Sequence, residues 1–369
     1  MKNLIVVFVL LFGLDSCSEQ PAEEPVVAPT NLQVNVVLDE SGSGKVDVSA
    51  SATNANFYSI YFGVNANESP MITSTGQATF TYPNSGNFNI RVKAHATASV
   101  FIEKQTDVTV QLNMVDGIRI PTTGYDAPTT YPGYTLAWQD DFSGATLNSA
   151  FWSHEVGRGN NGWGNNELQY YQPNNTIVKD GLLIISAKKE FKEGAEYTSS
   201  RIITKDKKSF QYGRIDIRAA LPKGKGIWPA FWMLGANFST VGWPKCGELD
   251  IMELVGGGVG DRTVYGTLHW DNAGQHACTC GDDGYTLASG TFYDKFHVFS
   301  AVWTSNKVSW YVDNVLFHEI DTTPSELSEF DAPFFFIFNI AVGGNWPGNP
   351  DASTVFPQHL IVDYIRVYQ

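Results

Sequence analysis

The sequence predicts an all-β chain made of two sandwiches, and three observations carry that expectation. Short apolar and aromatic runs recur between Gly, Asn, Asp and Pro clusters, as strands between turns do. No long stretch shows the 3.6-residue period of a helix. All ten Trp lie at or after Trp138, which divides the chain into two compositional halves. At 369 residues the chain is long enough for two domains.

The elements follow in order. Met1-Lys2-Asn3 is a short basic start, and Leu4 to Leu14 is an apolar run of eleven residues, too short to span a bilayer. Leu14-Asp15-Ser16-Cys17 resembles a bacterial lipoprotein cleavage site. This predicts a signal peptide over 1–16 and an acylated Cys17, with a polar, acidic tether over 17–28. The expected location is the outer membrane or cell surface, with membrane contact through the lipid alone. An ordinary signal peptide with an incidental cysteine is the alternative. From 29 to 114 the pattern is alternating, clearest in Phe88-Asn89-Ile90-Arg91-Val92-Lys93-Ala94-His95-Ala96 and repeated near Lys45–Val48 and Asp107–Val110. Pro83-Asn84-Ser85-Gly86 supplies a turn. This stretch is similar to a polycystic-kidney-disease-type or other immunoglobulin-like module, which implies a small sandwich acting as a spacer. A glycan-binding role would lack the usual Trp platform. Pro121, Gly124, Pro128, Pro132 and Gly133 mark 115–135 as a linker. Residues 136–369 then predict one large antiparallel sandwich or jelly roll, with room for a long groove on one sheet.

Composition narrows the partners. A formal charge of −14 argues against nucleic acid and against an anionic membrane surface, and a neutral substrate fits best. Aromatics at 13% are abundant. Beyond Cys17 three cysteines remain, Cys246, Cys278 and Cys280, so not all can pair within one chain. Two could oxidise in an exported protein, for instance Cys246 with one of the others. No Cys/His set has zinc spacing.

The most informative segment is Gly247-Glu248-Leu249-Asp250-Ile251-Met252-Glu253. It sets three carboxylates into an otherwise apolar strand, and carboxylates are seldom buried without a task. Period two puts Glu248 and Asp250 on one face and Glu253 on the other. A β-bulge adding one residue would bring all three together. An edge strand facing water, or a calcium site, would use the same residues. Two glutamates lined up along a groove are what a glycosidase needs.

Five blocks in order then identify a resemblance: Trp138-Gln139-Asp140-Asp141-Phe142, Trp163 to Tyr171 (WGNNELQYY), Trp228 to Gly235 (WPAFWMLG), Glu248 to Glu253, and Val362-Asp363-Tyr364-Ile365-Arg366-Val367-Tyr368. The second half resembles glycoside hydrolase family 16, specifically its laminarinase-like endo-β-1,3-glucanases. The resemblance implies a concanavalin-like jelly roll and a β-glucan substrate, hydrolysed with retention and without a catalytic cofactor by a monomer. It implies that Glu248 is the nucleophile, Glu253 the general acid/base, and Asp250 the residue between them that tunes protonation. Trp228, Trp232 and Trp243 become candidate sugar platforms, with core packing the alternative for Trp228. Asn165 and Arg201 match positions that hydrogen-bond sugar hydroxyls. His269 lies within reach of the acids, although a structural histidine would fit as well. A structural calcium ion is implied at Asp141, a backbone carbonyl near Gly181, and Asp363, with Asp141 standing where many relatives have Glu. Mixed-linkage glucan or galactan hydrolysis is the alternative within the family. A glucan-binding protein without activity is disfavoured, because all three acids are present.

Overall fold

The computed structural model describes residues 25–281 and 284–369, so the signal segment and Cys17 lie outside the described residues. The chain forms two compact units that divide after Leu112.

The first unit is a small sandwich. One sheet joins Thr30–Leu38, Lys45–Thr53 and Gln77–Thr81; the other joins Met71–Thr73, Phe57–Tyr61, Gly86–His95 and Phe101–Val110. Alternation does the work here. In Lys45–Thr53 every second side chain from Val46 is buried, with solvent-facing residues between them. Val46, Val48, Ile60, Tyr82, Ile90 and Val92 fill the space between the sheets.

The second unit stacks two eight-stranded sheets. The outer sheet runs Thr176–Lys179, Leu182–Ala187, Gln358–Tyr368, Gly213–Ala220, His297–Trp303, Lys307–Val312 and Val315–Asp321, and Leu136–Asp140 also pairs with Gln358–Tyr368. The inner sheet runs Ser153–Glu155, Arg201–Ile203, Phe334–Val342, Ile227–Gly235, Glu248–Leu254, Thr263–Asn272 and Gln275–Cys278, and the short Tyr285–Thr286 strand pairs with Thr263–Asn272. Phe231, Met233, Leu249, Phe336 and Phe338 meet Ile215, Ile217, Phe299, Leu360 and Ile365 in one core. Each such side chain, fully buried, is worth about 1.5–3 kcal/mol. This is the sandwich that the turn-punctuated sequence predicts.

The stretch 115–135, a linker by composition, is instead part of the second unit. Ile120 packs with Leu182, Ile184 and Ile361. The Ala127 amide donates to the Tyr364 hydroxyl at 3.1 Å, and the Tyr131 hydroxyl donates to Asp216 Oδ2 at 2.7 Å. Its prolines remove backbone donors without removing these apolar and hydroxyl anchors, so it lies along the sheet as a strap.

The cysteine pairing also differs from the Cys246 example. Cys278 and Cys280 are joined, and Cys246 is free and buried. Cys246 sits among Leu234, Phe335 and Ile337, where burial pushes its thiol up to about 11.

Candidate active site

The site begins with a register irregularity. Asp250 pairs with Thr267 and Glu253 with Tyr265, so three steps along the acid strand, Glu248–Leu254, match two on its neighbour. The other neighbouring strand shows the same slip between Phe231 and Trp232. Leu249, Ile251, Met252 and Leu254 all enter the core. Two consecutive residues, Ile251 and Met252, therefore point inward, and Glu253 returns to the face that carries Glu248 and Asp250. The bulge expected from the spacing is present.

A tryptophan from the opposite sheet braces this strand. Trp310 Nε1 donates to the Asp250 carbonyl at 2.7 Å. It reaches that far because position 266 is glycine: a Cβ there would lie 2.2 Å from Trp310 Cδ1.

Asp250 and Glu253 are buried and Glu248 is half-buried, and among the described residues none has a permanent cation paired with it. Burial, reinforced by the Asp250 charge, pushes Glu248 up to about 8, against the pull of His269. Burial and Asp250 likewise push Glu253 to about 8, although His269 and the Trp228 indole favour its ionised form. Burial holds Asp250 well above the usual carboxylate range. Trp228 Nε1 donates to Glu253 Oε1 at 3.0 Å. His269 Nε2 lies 3.2 Å from Asp250 Oδ2 and 3.7 Å from Glu248 Oε1. Asp250 Oδ2 is buried and makes no well-directed hydrogen bond, an orphan of the kind that marks function more often than stability.

Around the acids runs a cleft of about 900 Å³, lined by Trp163, Asn165, Arg201, Trp228, Trp232, Trp243, His269 and Trp346 among others. The three acids and every substrate-contact position expected from the sequence thus reach one site, in two adjoining pockets. Their individual settings differ. Trp243 is 47% exposed and offers an open ring. Trp228 is tied to Glu253, so it serves the acid as well as the wall. Trp232 donates to Asn339 Oδ1 at 2.7 Å, and the Arg201 guanidinium lies 4.8 Å from its ring and 4.6 Å from that of Trp163. Glu155 pairs with Arg201. Trp163 has φ 55°, a left-handed conformation that costs a bulky residue energy and that clusters at ligand sites.

Beneath the cleft lies a fourth buried acid that the sequence reading passed over. Glu167 Oε2 accepts from Gln169 Nε2 at 2.7 Å and from the Tyr171 hydroxyl at 3.2 Å, and its Oε1 accepts from Asn165 Nδ2 at 3.3 Å. Burial raises its pKa, and these donors lower it. Asn339 Nδ2 donates to the Tyr171 hydroxyl at 3.1 Å, linking this network to Trp232. Glu167 stands in the WGNNELQYY block, where its acid among apolar and aromatic residues was the available signal. Trp346 is 45% exposed in a Gly- and Pro-containing loop, and only the fold brings it to Trp228 and Tyr265.

The residues expected to hold calcium lie near one another in register. Asp140 pairs with Ile365, and Leu183 with Val362, so Asp141 and Gly181 follow and precede strand positions that flank Asp363 on Gln358–Tyr368. Asp141 is exposed. Arg218 Nη1, 2.6 Å from Asp363 Oδ2, occupies one of the two oxygens that residue could offer.

Comparison with known proteins places this geometry. The model for "Glycosyl hydrolases family 16" matches residues 164–366. The chain is 41% identical over 260 residues to the "Beta-glucanase" of Rhodothermus marinus, covering 67% of this chain and 89% of that one. It is 39% identical over 262 residues to "Glucan endo-1,3-beta-glucosidase A1" of Niallia circulans, covering 64% of this chain but only 38% of that enzyme's length. Among solved structures, the laminarinase catalytic domain of Thermotoga maritima is 46% identical, with a TM-score of 0.58, over 64% of this chain and 98% of that one.

Proposed function

The chain belongs to glycosyl hydrolases family 16, and from that premise we propose that it cleaves internal β-1,3-glucosidic bonds of laminarin-type glucans with retention of configuration. The observation that carries this reading is the bulged acid strand, which aims three uncompensated carboxyl groups into an aromatic cleft. The names of the Rhodothermus, Niallia and Thermotoga relatives supply the glucan.

In this reading Glu248 attacks the anomeric carbon and forms the glycosyl-enzyme. Glu253 protonates the leaving oxygen and then takes a proton from the incoming water. The division suits their surroundings. Glu253 sits deeper and is held by the Trp228 indole, so burial keeps its proton available near neutral pH. Glu248 lies nearer solvent and within reach of His269, which favours its ionised form. Asp250, between them, discourages both from ionising together. Trp243 and Trp232 receive the apolar faces of pyranose rings, and Arg201 and Asn165 address the hydroxyls.

Export with an acylated Cys17 belongs to the same reading and is checked by whether the protein fractionates with membranes. So does a structural calcium ion at Asp141, the Gly181 carbonyl and Asp363. Hard oxygen ligands suit calcium, and its effect would be to tie an early strand to the last one.

The test is a product profile on laminarin, lichenan, agarose and carrageenan, with the anomer followed by NMR. Rapid release of retained oligosaccharides from laminarin is expected. Faster cleavage of lichenan would move the assignment to mixed-linkage glucan, and an inverted product would overturn the roles of the two glutamates.

A further inference from the structure

At the edge of the inner sheet, the histidine that faces the acids has further neighbours that hydrolysis does not use. His269 pairs directly with Cys278 across two strands, and His276 lies on the same hairpin. One ligand atom from each of His269, His276 and Cys278 lies within 4.8 Å of the others. His269 Nδ1 and His276 Nε2 are 2.9 Å apart. Cys280, bonded to Cys278, lines the cleft and is reachable from it.

We propose that His269, His276, Cys278 and Cys280 form a redox-gated site for one divalent transition-metal ion of the zinc or cobalt type. It is closed while the two cysteines are joined and open when they are reduced. Two imidazoles and two thiolates are a donor set that such ions prefer over harder cations. The disulfide is a poor staple, because its cysteines are only two positions apart, so it restrains the unfolded chain little. A gate is a better account of it. The chemistry balances with a dithiol as reductant. The dithiol gives two electrons and two protons, becomes a cyclic disulfide, and leaves two thiols where the Cys278–Cys280 bond was. The ion then displaces both thiol protons to solvent.

Occupancy would reach the hydrolytic site. With Nδ1 of His269 on the metal, Nε2 must carry the proton and face Asp250, 3.2 Å away. The Trp243 ring, 4.6 Å from His276, places the ion against the wall of the cleft. The inference goes beyond the hydrolase reading, since binding does not depend on which glycan is cleaved.

The experiment titrates cobalt alone into the mature full chain, with and without prior reduction by dithiothreitol that is then removed. The reduced protein should bind one ion and show thiolate-to-cobalt charge-transfer absorption, and the oxidised protein should not. His276→Ala should weaken binding at least tenfold, and Cys278→Ser with Cys280→Ser should abolish the absorption. Cys280→Ser alone leaves the Cys278 thiol free, so it should bind without reductant. Zinc should slow laminarin hydrolysis at least tenfold in the reduced protein only. Reduced, folded protein without the charge-transfer band would overturn the proposal. So would a band that survives in the double variant, unchanged affinity in His276→Ala, or zinc binding that leaves hydrolysis untouched.

Discussion

Two sets of buried carboxylates stand in the same sandwich, and they are treated in opposite ways. Asp216, in the outer sheet, is fully buried. Arg214 Nε meets its Oδ1 at 2.8 Å, the Ser300 hydroxyl donates to the same oxygen at 2.6 Å, and Tyr131 donates to Oδ2. The acids of the inner sheet have no such partners. Asp250 keeps an orphan oxygen, and two indoles, Trp228 on Glu253 and Trp243 on Glu248, and a single imidazole serve three carboxyl groups. A buried charge costs several kcal/mol unless it is paired. The outer sheet meets that cost with a cation and two hydroxyls. The inner sheet leaves it unmet, and the result is protons held near neutral pH. The comparison separates a carboxylate that holds the fold from carboxyls that the fold holds for chemistry.

The sharpest break of this contrast is at the acids themselves. Glu248→Ser and Glu253→Ala should each lower kcat on laminarin by about 10²–10⁴-fold or more, while the melting temperature stays level or rises. Azide should restore turnover with inverted product in Glu248→Ser. In Glu253→Ala it should give retained product, and only with an activated leaving group. Near-normal kcat in either variant would end the assignment. At Asp216 the pattern should reverse. Asp216→Ala strands Arg214 and should cost about 3–5 kcal/mol of stability while kcat/KM of the surviving folded enzyme is kept. Tyr131→Phe should cost less, about 1.5–3 kcal/mol, since it removes one hydrogen bond to a charged group. Denaturant titration of each variant beside its kinetics decides whether the two acid sets are separable.

The pH dependence sharpens the same distinction. Glu248 and Glu253 are pushed up to about 8 from an ordinary value of 4.5. Their protonated forms are therefore favoured by folding, so their stabilising contribution is full below about pH 4.5 and is lost as pH rises through about 8. Wild type should lose several degrees of melting temperature between pH 5 and 8 through these groups, and Glu248→Gln with Glu253→Gln should flatten that slope. Hydrolysis needs Glu248 ionised and Glu253 protonated, so its rate should rise as Glu248 loses its proton and fall as Glu253 loses its own, a bell centred near pH 8. Parallel slopes in the two proteins would show that these groups are not held protonated.

How far the sequence alone reaches can be judged at particular residues. Alternation in Lys45–Thr53 and in Phe88–Ala96, and the turn between 81 and 86, were legible because each is a local pattern. The convergence of Glu248, Asp250 and Glu253 was legible once a bulge was allowed, since Glu253 stands five residues from Glu248 and one extra residue returns it to the same face. The strap over 115–135 was not legible, because its prolines resemble a linker and its anchors, such as Tyr131 to Asp216, are 85 residues apart. Trp346 and His276 escaped because a loop and a sheet register, not sequence spacing, bring them to the cleft; which two of the three cysteines pair was open until the structure joined Cys278 to Cys280. Glu167 was in view but lacked a partner until the fold supplied Gln169 and Tyr171 from its own face.

The smallest expected effect concerns a third kind of acid, half satisfied. Asp363 has one oxygen taken by Arg218 and is only partly buried, so a calcium ion shared with Asp141 and the Gly181 carbonyl would compete with a cation already in place. A ligand that binds the native state alone stabilises by mass action, by about 1.4 kcal/mol at ten times its Kd. Allowing for the competition, chelation should lower the melting temperature by roughly 2–4 °C, as about 1 kcal/mol does in a domain of this size. Arg218→Gln should enlarge the difference between calcium and chelator, because it frees Asp363 Oδ2 and removes the repelling charge. The baseline stability of that variant should fall at the same time, since Arg218 also donates to the Tyr125 carbonyl at 2.8 Å. The two effects are told apart by comparing each protein with itself, with and without the ion. An identical melting temperature in calcium and in chelator for both proteins, with no ion found by elemental analysis, would remove the site and leave Asp363 paired with Arg218 alone among the described residues.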